Sequence, residues 1–272
     1  MSPTARVSVV VTTRNSAATL ERLLASVGAQ RFQPLELIVV DNASTDATAE
    51  IARRFTDHVL ERGPERSAQR NAGVEAAGGE FVVILDADMI LEPQTVGECV
   101  RTAEATGAVA VVIPEATIGE GVVAAIRKLE RSCYEGDPTV EAARFFDRGA
   151  FLRYGGYDEE LSGPEDWDLP ARMRRAGEVV ERAGGARILH DETGLTLRSH
   201  LGKKFYYGKS LRRYARRHPT LAARQFNLIR PAFVRNWRRL ARHPVLAVGV
   251  FVLKTAEFTA GAAGAATAGR GR

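Results

Sequence analysis

The sequence has few cysteines, and they are not clustered. Cys99 and Cys133 are the only two in 272 residues, and they lie too far apart to form the paired-cysteine motif of a zinc knuckle. Two cysteines are also too few for a disulfide framework, which excludes a small secreted scaffold held by disulfides. We therefore expect the protein in a reducing compartment, the cytoplasm.

Two common nucleotide-binding loops are missing as well. No G-x-G-x-x-G follows the first apolar run, where TTRN (residues 12–15) stands instead, and no G-x-x-x-x-G-K-[ST] occurs anywhere. The amino end shows neither an apolar core nor a small-residue cleavage site, so no secretory signal is predicted. If the chain binds a nucleotide, a metal ion and side chains have to contact its phosphates.

Acidic residues are absent from a long stretch near the carboxyl end. Between Glu192 and Glu257 there is no Asp or Glu, but there are 15 Lys and Arg; residues 1–192 hold 21 basic and 32 acidic residues. The formal net charge of +5 therefore hides an acidic body with a basic tail. An anionic membrane surface suits such a tail. Nucleic acid is not expected, because the acidic body would repel a duplex.

Apolar runs followed by polar residues indicate the fold. Strand-like runs alternate with helical patterns, which predicts an α/β protein with a doubly wound, mostly parallel sheet. Ligands of such sheets bind beyond the carboxyl ends of the strands, and polar residues gather there at positions 12–15, 41–42 and 86–88. The strands are expected at residues 7–11, 35–40, 58–60, 81–85 and 109–113.

Two carboxylates close the fourth strand. Residues i and i+2 of a strand share a face, so Asp86 and Asp88 are expected to converge on one point. Two such carboxylates raise one another's pKa unless a cation lies between them. Oxygen ligands of this kind suit Mg²⁺ or Mn²⁺. A solvated turn after the strand is the alternative interpretation.

Several stretches, taken together and in order, resemble the motifs of a known enzyme family. VSVVVTTRN, VVDNASTDAT, RNAGVEAAGGEFVVILDADM and GGYDEELSGPEDWDLPARMRRAG are similar to the successive motifs of the family 2 glycosyltransferases with the GT-A fold. The likeness covers residues 6–192. It implies an inverting transferase that uses a UDP- or GDP-linked sugar and a divalent metal ion, Mg²⁺ or Mn²⁺.

The same resemblance implies roles for individual residues. Asp88 matches the direct metal ligand, Asp86 matches a residue that binds the metal or the ribose, and His190 can complete the metal site, with His200 as its competitor. Asp41 matches the aspartate that binds the base, although it could instead cap the next helix. The residues expected at the donor are Thr12, Thr13, Arg14, Asn15, Asp41, Asn42, Arg70, Asp86 and Ala87.

The motif GPEDWDL contains three acids in four residues. Inverting transfer to a hydroxyl needs one base to deprotonate the acceptor. The family motif maps to Glu165 and Asp166, with Asp166 as the base and Glu165 as its orienting partner, and Asp168 is the second choice. An acidic first turn that stabilises a helix is the alternative. The glycines of GGYD (residues 155–158) are expected to pack under the sugars.

The chain divides into three predicted regions. Residues 1–192 form the catalytic domain, with a nucleotide-binding half to about residue 113 and an acceptor half after it; residues 193–243 form a basic helical region, and residues 244–272 an apolar Ala/Gly-rich tail. Lys203, Lys204, Tyr207 and Lys209 could hold a phosphate. The tail is expected to lie on the membrane surface, with a helix packed on the body or in a dimer as the alternative.

We therefore expect a cytoplasmic enzyme, peripheral on the inner face of the cell membrane. It would transfer a sugar to a polyprenyl-phosphate, lipid or glycan acceptor in cell-envelope or lipid-linked glycan synthesis. Two other functions fit the same sheet: a nucleotidyltransferase, and a scaffold that binds nucleotide without catalysis. The presence of all the expected acids speaks against the scaffold.

Overall fold

The computed structural model describes residues 6–227 and 230–268. The first five residues of the predicted catalytic domain, two residues of the predicted basic region and the last four of the predicted tail lie outside the described residues. Within the described ranges the chain forms ten strands in two sheets. These are β1 (Val7–Thr13), β2 (Leu35–Asp41), β3 (Val59–Glu61), β4 (Phe81–Asp86), β5 (Met89–Leu91), β6 (Ala110–Val112), β7 (Glu115–Ile118), β8 (Ala143–Asp147), β9 (Val180–Arg182) and β10 (Ile188–Asp191).

The larger sheet is mostly parallel, as the sequence predicted. In the part of the chain that the structure describes, it has seven strands in the order β3-β2-β1-β4-β8-β6-β9. All neighbouring pairs are parallel except those of β8, which lies antiparallel between β4 and β6. The predicted fifth strand, residues 109–113, is therefore separated from β4 by a strand that the sequence did not reveal. A smaller sheet has the order β5-β10-β7.

Helices cover the sheet, and from residue 197 onward most of the described residues are helical. The predicted helical tail is confirmed. The helices are α1 (Leu20–Gly28), α2 (Thr48–Arg53), α3 (Arg66–Ala76), α4 (Thr95–Thr106), α5 (Val122–Tyr134), α6 (Arg148–Arg153), α7 (Glu165–Arg175), α8 (Leu197–Gly208), α9 (Leu211–Arg217), α10 (Pro219–Gln225), α11 (Pro231–Arg235), α12 (Trp237–Ala241) and α13 (Pro244–Thr267).

The core explains why β1 is a continuous run of β-branched residues. Alternate side chains of a strand point to opposite faces of the sheet, and both faces of β1 are covered. Val9 and Val11 pack in the cluster that contains the apolar face of α1, whereas Val10 packs in the cluster on the α3 side. Gly73 lets α3 lie directly on the sheet, because a Cβ atom there would overlap the side chain of Val10.

The long helix α13 packs on the body through one face, mainly against α8 and α5. That face carries the two charged residues of the helix: Lys254 and Glu257 are buried, and the Lys254 Nζ atom lies 2.6 Å from the Glu257 Oε2 atom. Gly264 allows a close approach, because a Cβ atom there would overlap the Phe205 carbonyl of α8. The outward face is apolar. By length and composition alone, α13 could cross a membrane, and it is the one helix in residues 6–227 and 230–268 of which this is true.

Two glycines of α13 test this packing. Gly264→Ala should lower the free energy of unfolding by about 1–3 kcal/mol relative to Gly261→Ala, because the alanine at position 264 would overlap backbone atoms of α8, whereas the one at position 261 would make only ordinary contacts. Both substitutions bring the same gain in helix propensity, so their difference isolates the packing term. Urea denaturation of the two variants measures it, and equal stabilities would mean that α13 does not pack on α8 in solution.

Candidate active site

The carboxyl ends of β1, β2 and β4 meet at one edge of the large sheet. The strand register places Thr12 beside Asp86 and Thr13 beside Asp41. A cleft of about 940 Å³, here called the main cleft, opens at this edge. Most residues expected at the donor and metal line it: Thr12, Thr13, Arg14, Asn15, Asn42, Asp86, Ala87, Asp88 and His190.

Two residues expected at the donor, Asp41 and Arg70, do not belong to the lining of the main cleft. Asp41 is buried, and its carboxylate accepts hydrogen bonds from the backbone N–H of Ser44 at 2.8 Å and from the Ser44 hydroxyl at 2.6 Å. These hydrogen bonds lie within the loop after β2, and α2 begins only at Thr48, so Asp41 does not cap that helix. Asp41 therefore shapes the loop after β2, and its carboxylate faces that loop in this arrangement.

Arg70 is fully buried behind the cleft and joins three carboxylates. Its Nη2 atom lies 2.7 Å from the Asp86 Oδ1 atom, while Nη1 lies 2.6 Å from the Asp166 Oδ1 atom and 3.2 Å from the Glu165 Oε1 atom. The end of β4 and the start of α7 are thus held together by one guanidinium group. Residues that are 80 positions apart in the sequence converge on the same point.

Asp86 is surrounded by arginines. Its Oδ1 atom accepts from Arg70 and, at 3.3 Å, from the Thr12 hydroxyl, and its Oδ2 atom lies 3.3 Å from Arg66 and 3.8 Å from Arg144. Burial alone would raise the pKa of Asp86, but the three guanidinium groups hold it well below its usual range. Both oxygens of the ionised carboxylate therefore already have cationic partners from the protein.

The expected strand face shared by Asp86 and Asp88 does not exist. Strand β4 ends at Asp86, and Asp88 lies in the tight turn before β5. The turn moves Asp88 away from the arginines that surround Asp86 and toward β10, whose Asp191 backbone N–H donates to the Asp88 carbonyl at 2.7 Å. The two carboxylates consequently have different surroundings.

Asp88 has His190 as its neighbour across the small sheet. The Nε2 atom of His190 lies 3.7 Å from the Asp88 Oδ1 atom. Burial lowers the pKa of His190, although Asp88 acts in the opposite direction, so the imidazole is neutral at neutral pH. A neutral imidazole is the form that binds metal ions. His200, the competing ligand, is instead buried beside Glu257 of α13, with the Nε2 and Oε1 atoms 2.5 Å apart.

The donor atoms present fit a divalent cation in part. Asp88 and His190 offer an oxygen and a nitrogen on the wall of the main cleft, and Asp86 is engaged by arginines. No group of three or more His, Cys, Asp or Glu side chains in residues 6–227 and 230–268 is placed to hold a metal ion. Mg²⁺ and Mn²⁺ commonly bind one or two protein ligands together with substrate phosphates and water, and this pair matches that pattern.

The three acids of α7 have separate environments. Asp166 lies beside Arg70 and, at 3.4 Å, Arg144, on the wall of a second cavity that it shares with Asp86. Glu165 is buried, and both its burial and the neighbouring Asp166 raise its pKa. Asp168, the second choice for the base, faces the basic helical region (residues 193–243). Its carboxylate pairs with Arg172 of α7 and with Arg217 and His218 of that region. Asp168 therefore anchors α9 to α7, and Asp166 remains the candidate base.

The motifs GGYD and RNAG, which are far apart in the sequence, are joined directly. The Asn71 side chain accepts from the Tyr157 backbone N–H and donates to the Tyr157 carbonyl, both at 2.9 Å. Gly156 has a positive φ of 62°, and a Cβ atom there would overlap Asn71 and Phe151. The Tyr157 ring lies 5.3 Å from the Arg70 guanidinium group. Through the Tyr157 ring, this junction packs against the guanidinium group of Arg70.

Two arginines of the site, Arg66 and Arg144, were not found from the sequence, whereas Tyr207 was expected to contact a phosphate. Arg66 and Tyr207 line both cavities, and the Arg66 guanidinium group lies 5.3 Å from the centre of the Tyr207 ring. Arg66 lies one helical turn before Arg70, so the i, i+4 spacing could have identified it. Arg144 lies within β8, a short strand without a recognisable pattern, and nothing in the sequence pointed to it. Helix α8, expected in a separate basic region, forms a wall of the main cleft.

Comparison with known proteins agrees with this geometry. The family model described as glycosyl transferase family 2 matches residues 8–156. The chain belongs to this family. The predicted GT-A fold is also confirmed: a mannosyltransferase from Pyrobaculum calidifontis, in complex with GDP-Man and Mn²⁺, superposes with a TM-score of 0.63 at 20% identity, over 100% of this chain and 77% of that one. The family assignment decides against the nucleotidyltransferase alternative.

Two relatives of the chain are named for glycosyl transfer or for the biosynthesis of a polysaccharide. The pre-mycofactocin glycosyltransferase of Mycobacterium tuberculosis is 30% identical over 244 residues, which is 80% of this chain and 49% of that protein. The succinoglycan biosynthesis protein ExoO of Rhizobium meliloti is 35% identical over 107 residues, 38% of this chain and 31% of the relative. The chain therefore spans half or less of the length of these relatives.

Removal of the Arg70 guanidinium group should destabilise the protein strongly. In Arg70→Met, three carboxylates would stay in a buried region without the cation that joins them, and we expect a loss of about 3–5 kcal/mol in the free energy of unfolding. Urea denaturation at neutral pH measures this loss. Arg66→Met is the matched control, because Arg66 is 33% exposed and Asp86 would keep Arg70. Equal losses in the two variants would contradict the role assigned to Arg70.

Proposed function

We propose that the enzyme transfers a sugar from a UDP- or GDP-linked donor to an acceptor hydroxyl or lipid phosphate, with inversion at the sugar carbon. The observation that carries this proposal is the bridge formed by Arg70 between Asp86 of the donor side and Asp166 of the acceptor side. The two halves of the expected site thus contact the same guanidinium group. Structural neighbours with GDP-Man and Mn²⁺ or with UDP-GlcNAc support the donor class.

The main cleft is the proposed donor site. Residues 12–15 and Asn42 would hold the nucleoside. Asp41 and Arg70 lie outside the lining of the cleft and would stabilise the segments that form it. Asp86, fixed by arginines, would face the ribose. This assignment keeps the proposed division of the catalytic domain into a nucleotide-binding half up to about residue 113 and an acceptor half up to residue 192.

Asp88 and His190 are the proposed ligands of Mg²⁺ or Mn²⁺. A divalent ion bound there supplies Lewis-acid stabilisation of the charge that develops on the leaving diphosphate. The protein's own part is to present a neutral imidazole and a carboxylate on one wall of the cleft, 3.7 Å apart. Asp86 is paired with arginines and is therefore not a proposed metal ligand. Its proposed contact is with the donor.

Asp166 is the proposed general base. It would accept the proton of an acceptor hydroxyl as that oxygen attacks the sugar from the face opposite the diphosphate, which gives inversion. Arg70 and Arg144 fix the carboxylate in position, and Glu165 supports it from the buried side. With a phosphate acceptor, which is already ionised, Asp166 would matter less as a base.

The carboxyl-terminal helix favours a peripheral position on the inner face of the cell membrane. Val245, Val248 and Val252 on α13 are at least 65% exposed, and Trp237 nearby in the chain is 59% exposed. The charged pair of α13 faces the protein, so no buried charge opposes contact of the outer face with lipid. Such a position suits cell-envelope or lipid-linked glycan synthesis. A beta-1,3-glucosyltransferase of Campylobacter jejuni that is 33% identical over 93 residues, 30% of this chain and 29% of that protein, has an undecaprenol-linked acceptor in its name.

Two substitutions separate the proposed metal site from the proposed base. Asp88→Asn should abolish the Mn²⁺-dependent thermal stabilisation by UDP or GDP. Asp166→Asn should keep that stabilisation but lower transfer by about 10²–10⁴-fold, since proton transfer is lost. Release of free nucleotide from UDP- and GDP-sugars with Mn²⁺ identifies the donor. Normal transfer by Asp166→Asn would refute the base, and no release from any donor would favour the non-catalytic scaffold.

The membrane position has its own test. The double variant Val248→Glu/Val252→Glu should lose most of its binding to vesicles that contain phosphatidylglycerol, because two charges would face the lipid. Co-sedimentation with the vesicles measures the bound fraction. Val179→Glu, at an exposed valine of the catalytic domain, is the matched control and should bind as the unmodified protein does. Equal binding of all three proteins would argue against this face.

A further inference from the structure

The second cavity, here called the cationic cavity, has a volume of about 270 Å³ and lies beside the proposed catalytic carboxylates. Asp86 and Asp166 belong to its wall, and Lys204 of α8 and Tyr207 belong to both this cavity and the main cleft. Among the described residues, seven Lys or Arg and five Asp or Glu side chains line it. The lining therefore has two more cationic than anionic groups.

Five of the seven cations already have a carboxylate partner within 3.3 Å. The other two are Arg230, which directly precedes α11, and Lys204. Arg230 has no carboxylate within 4.0 Å in the part of the chain that the structure describes. The nearest carboxylate to Lys204 is Glu257, at 3.9 Å, beyond hydrogen-bond distance. Arg230 and Lys204 are thus the two lining cations that have no carboxylate within hydrogen-bond distance among the described residues.

The guanidinium group of Arg230 has a hydrogen-bond donor that no described residue accepts. Arg230 is only 8% exposed, and its Nε atom is buried without a hydrogen-bond partner among the described residues. Its guanidinium group lies 5.0 Å from the centre of the Tyr134 ring, which belongs to the same cavity wall. Buried donors without acceptors are rare in folded proteins. An anion in the cavity would supply the missing acceptor.

Lys204 likewise has no carboxylate within hydrogen-bond distance among the described residues. Glu257 already has His200 and Lys254 as closer partners, at 2.5 and 2.6 Å. Burial lowers the pKa of Lys204 to about 8, and the nearby Lys254 and Arg127 act in the same direction. A second anion near this ammonium group would stabilise its charged form.

We propose that the cationic cavity binds a phosphoryl group carried by the acceptor, with Arg230 and Lys204 as its ligands. This inference rests on the proposed function. A phosphoryl group has a charge of about −1.5 to −2 at neutral pH, which matches the two excess cations. A planar guanidinium fork and an ammonium group are both established partners of phosphate oxygens. The acceptor would thereby be held on the Asp166 side of the site.

Binding of inorganic pyrophosphate tests the site directly. Isothermal titration of the full chain, without divalent metal, should show that Arg230→Gln and Lys204→Gln each weaken binding at least about tenfold, the usual effect of losing a charge-assisted hydrogen bond. Arg230→Lys should recover part of the affinity, which a misfolded variant would not show. Lys128→Gln, at an exposed lysine of α5 outside the cavity, is the matched control. Unchanged affinity in Arg230→Gln would overturn the proposal, because Arg230 lines only the cationic cavity.

Competition then identifies the source of the phosphoryl group. Displacement of pyrophosphate by a polyprenyl phosphate in phosphatidylcholine vesicles would support a lipid-borne phosphate, and displacement by a soluble sugar phosphate alone would support a soluble acceptor. Displacement by neither, or by acetate equally well, would overturn the phosphoryl assignment. Nucleotide release from the donor is measured in parallel on the unmodified protein. Its absence would refute the proposed function, whereas its presence with unaltered pyrophosphate binding in Arg230→Gln would refute only this inference.

Discussion

One buried guanidinium group, that of Arg70, holds together the two sides of the catalytic region. Asp86, Glu165 and Asp166 carry like charges within a small buried volume, and such groups raise one another's pKa unless a cation separates them. Arg70 provides that cation from within the protein, at 2.6–3.2 Å from each carboxylate. A buried strand can therefore end in an ionised carboxylate without a metal ion on it. This arrangement leaves Asp88, in the next turn, as the carboxylate that is available to a metal.

The ion pairs continue from this point to the carboxyl-terminal helix. Each cation along the way contacts at least two carboxylates, so a connected series of charges runs from Asp166 through α5 to α13. Removing any one member would leave a charge without its partner in a buried environment. The tail is thus coupled to the site through shared charges as well as through helix packing. The series is Asp166, Arg144, Glu115, Arg131, Glu192, Arg127, Glu130, Lys254 and Glu257.

The sequence predicted what depends on local pattern and missed what depends on distant contacts. The β-branched run of β1 and the helix at Glu165 follow from spacing and residue type, whereas the turn that places Asp88 beyond the end of β4 was not predicted. Strand β8 was missed because five residues with no regular alternation carry little signal. The contacts of Asp168 with Arg217 and His218, and the position of Arg230 in the wall of the cavity that Asp166 also lines, depend on how the carboxyl-terminal helices pack, which no local pattern encodes. Arg70 was predicted as a donor contact, but its burial became visible only when three distant acids met around it.

The region that the family model matches ends at residue 156. It includes the strands of the main cleft and Arg70, but it ends before Glu165 and Asp166, before His190 and before every residue of the tail. The match therefore includes α5 and β8, whereas α7, α8 and α13 lie beyond it. The cationic cavity has walls from both parts: Asp86, Arg127 and Arg144 lie within the match, and Asp166, Lys204 and Arg230 lie beyond it. The two cations proposed as ligands of the acceptor are thus among the residues that the family model does not describe, so the chemistry of the acceptor has to be inferred from this chain's own carboxyl-terminal side chains.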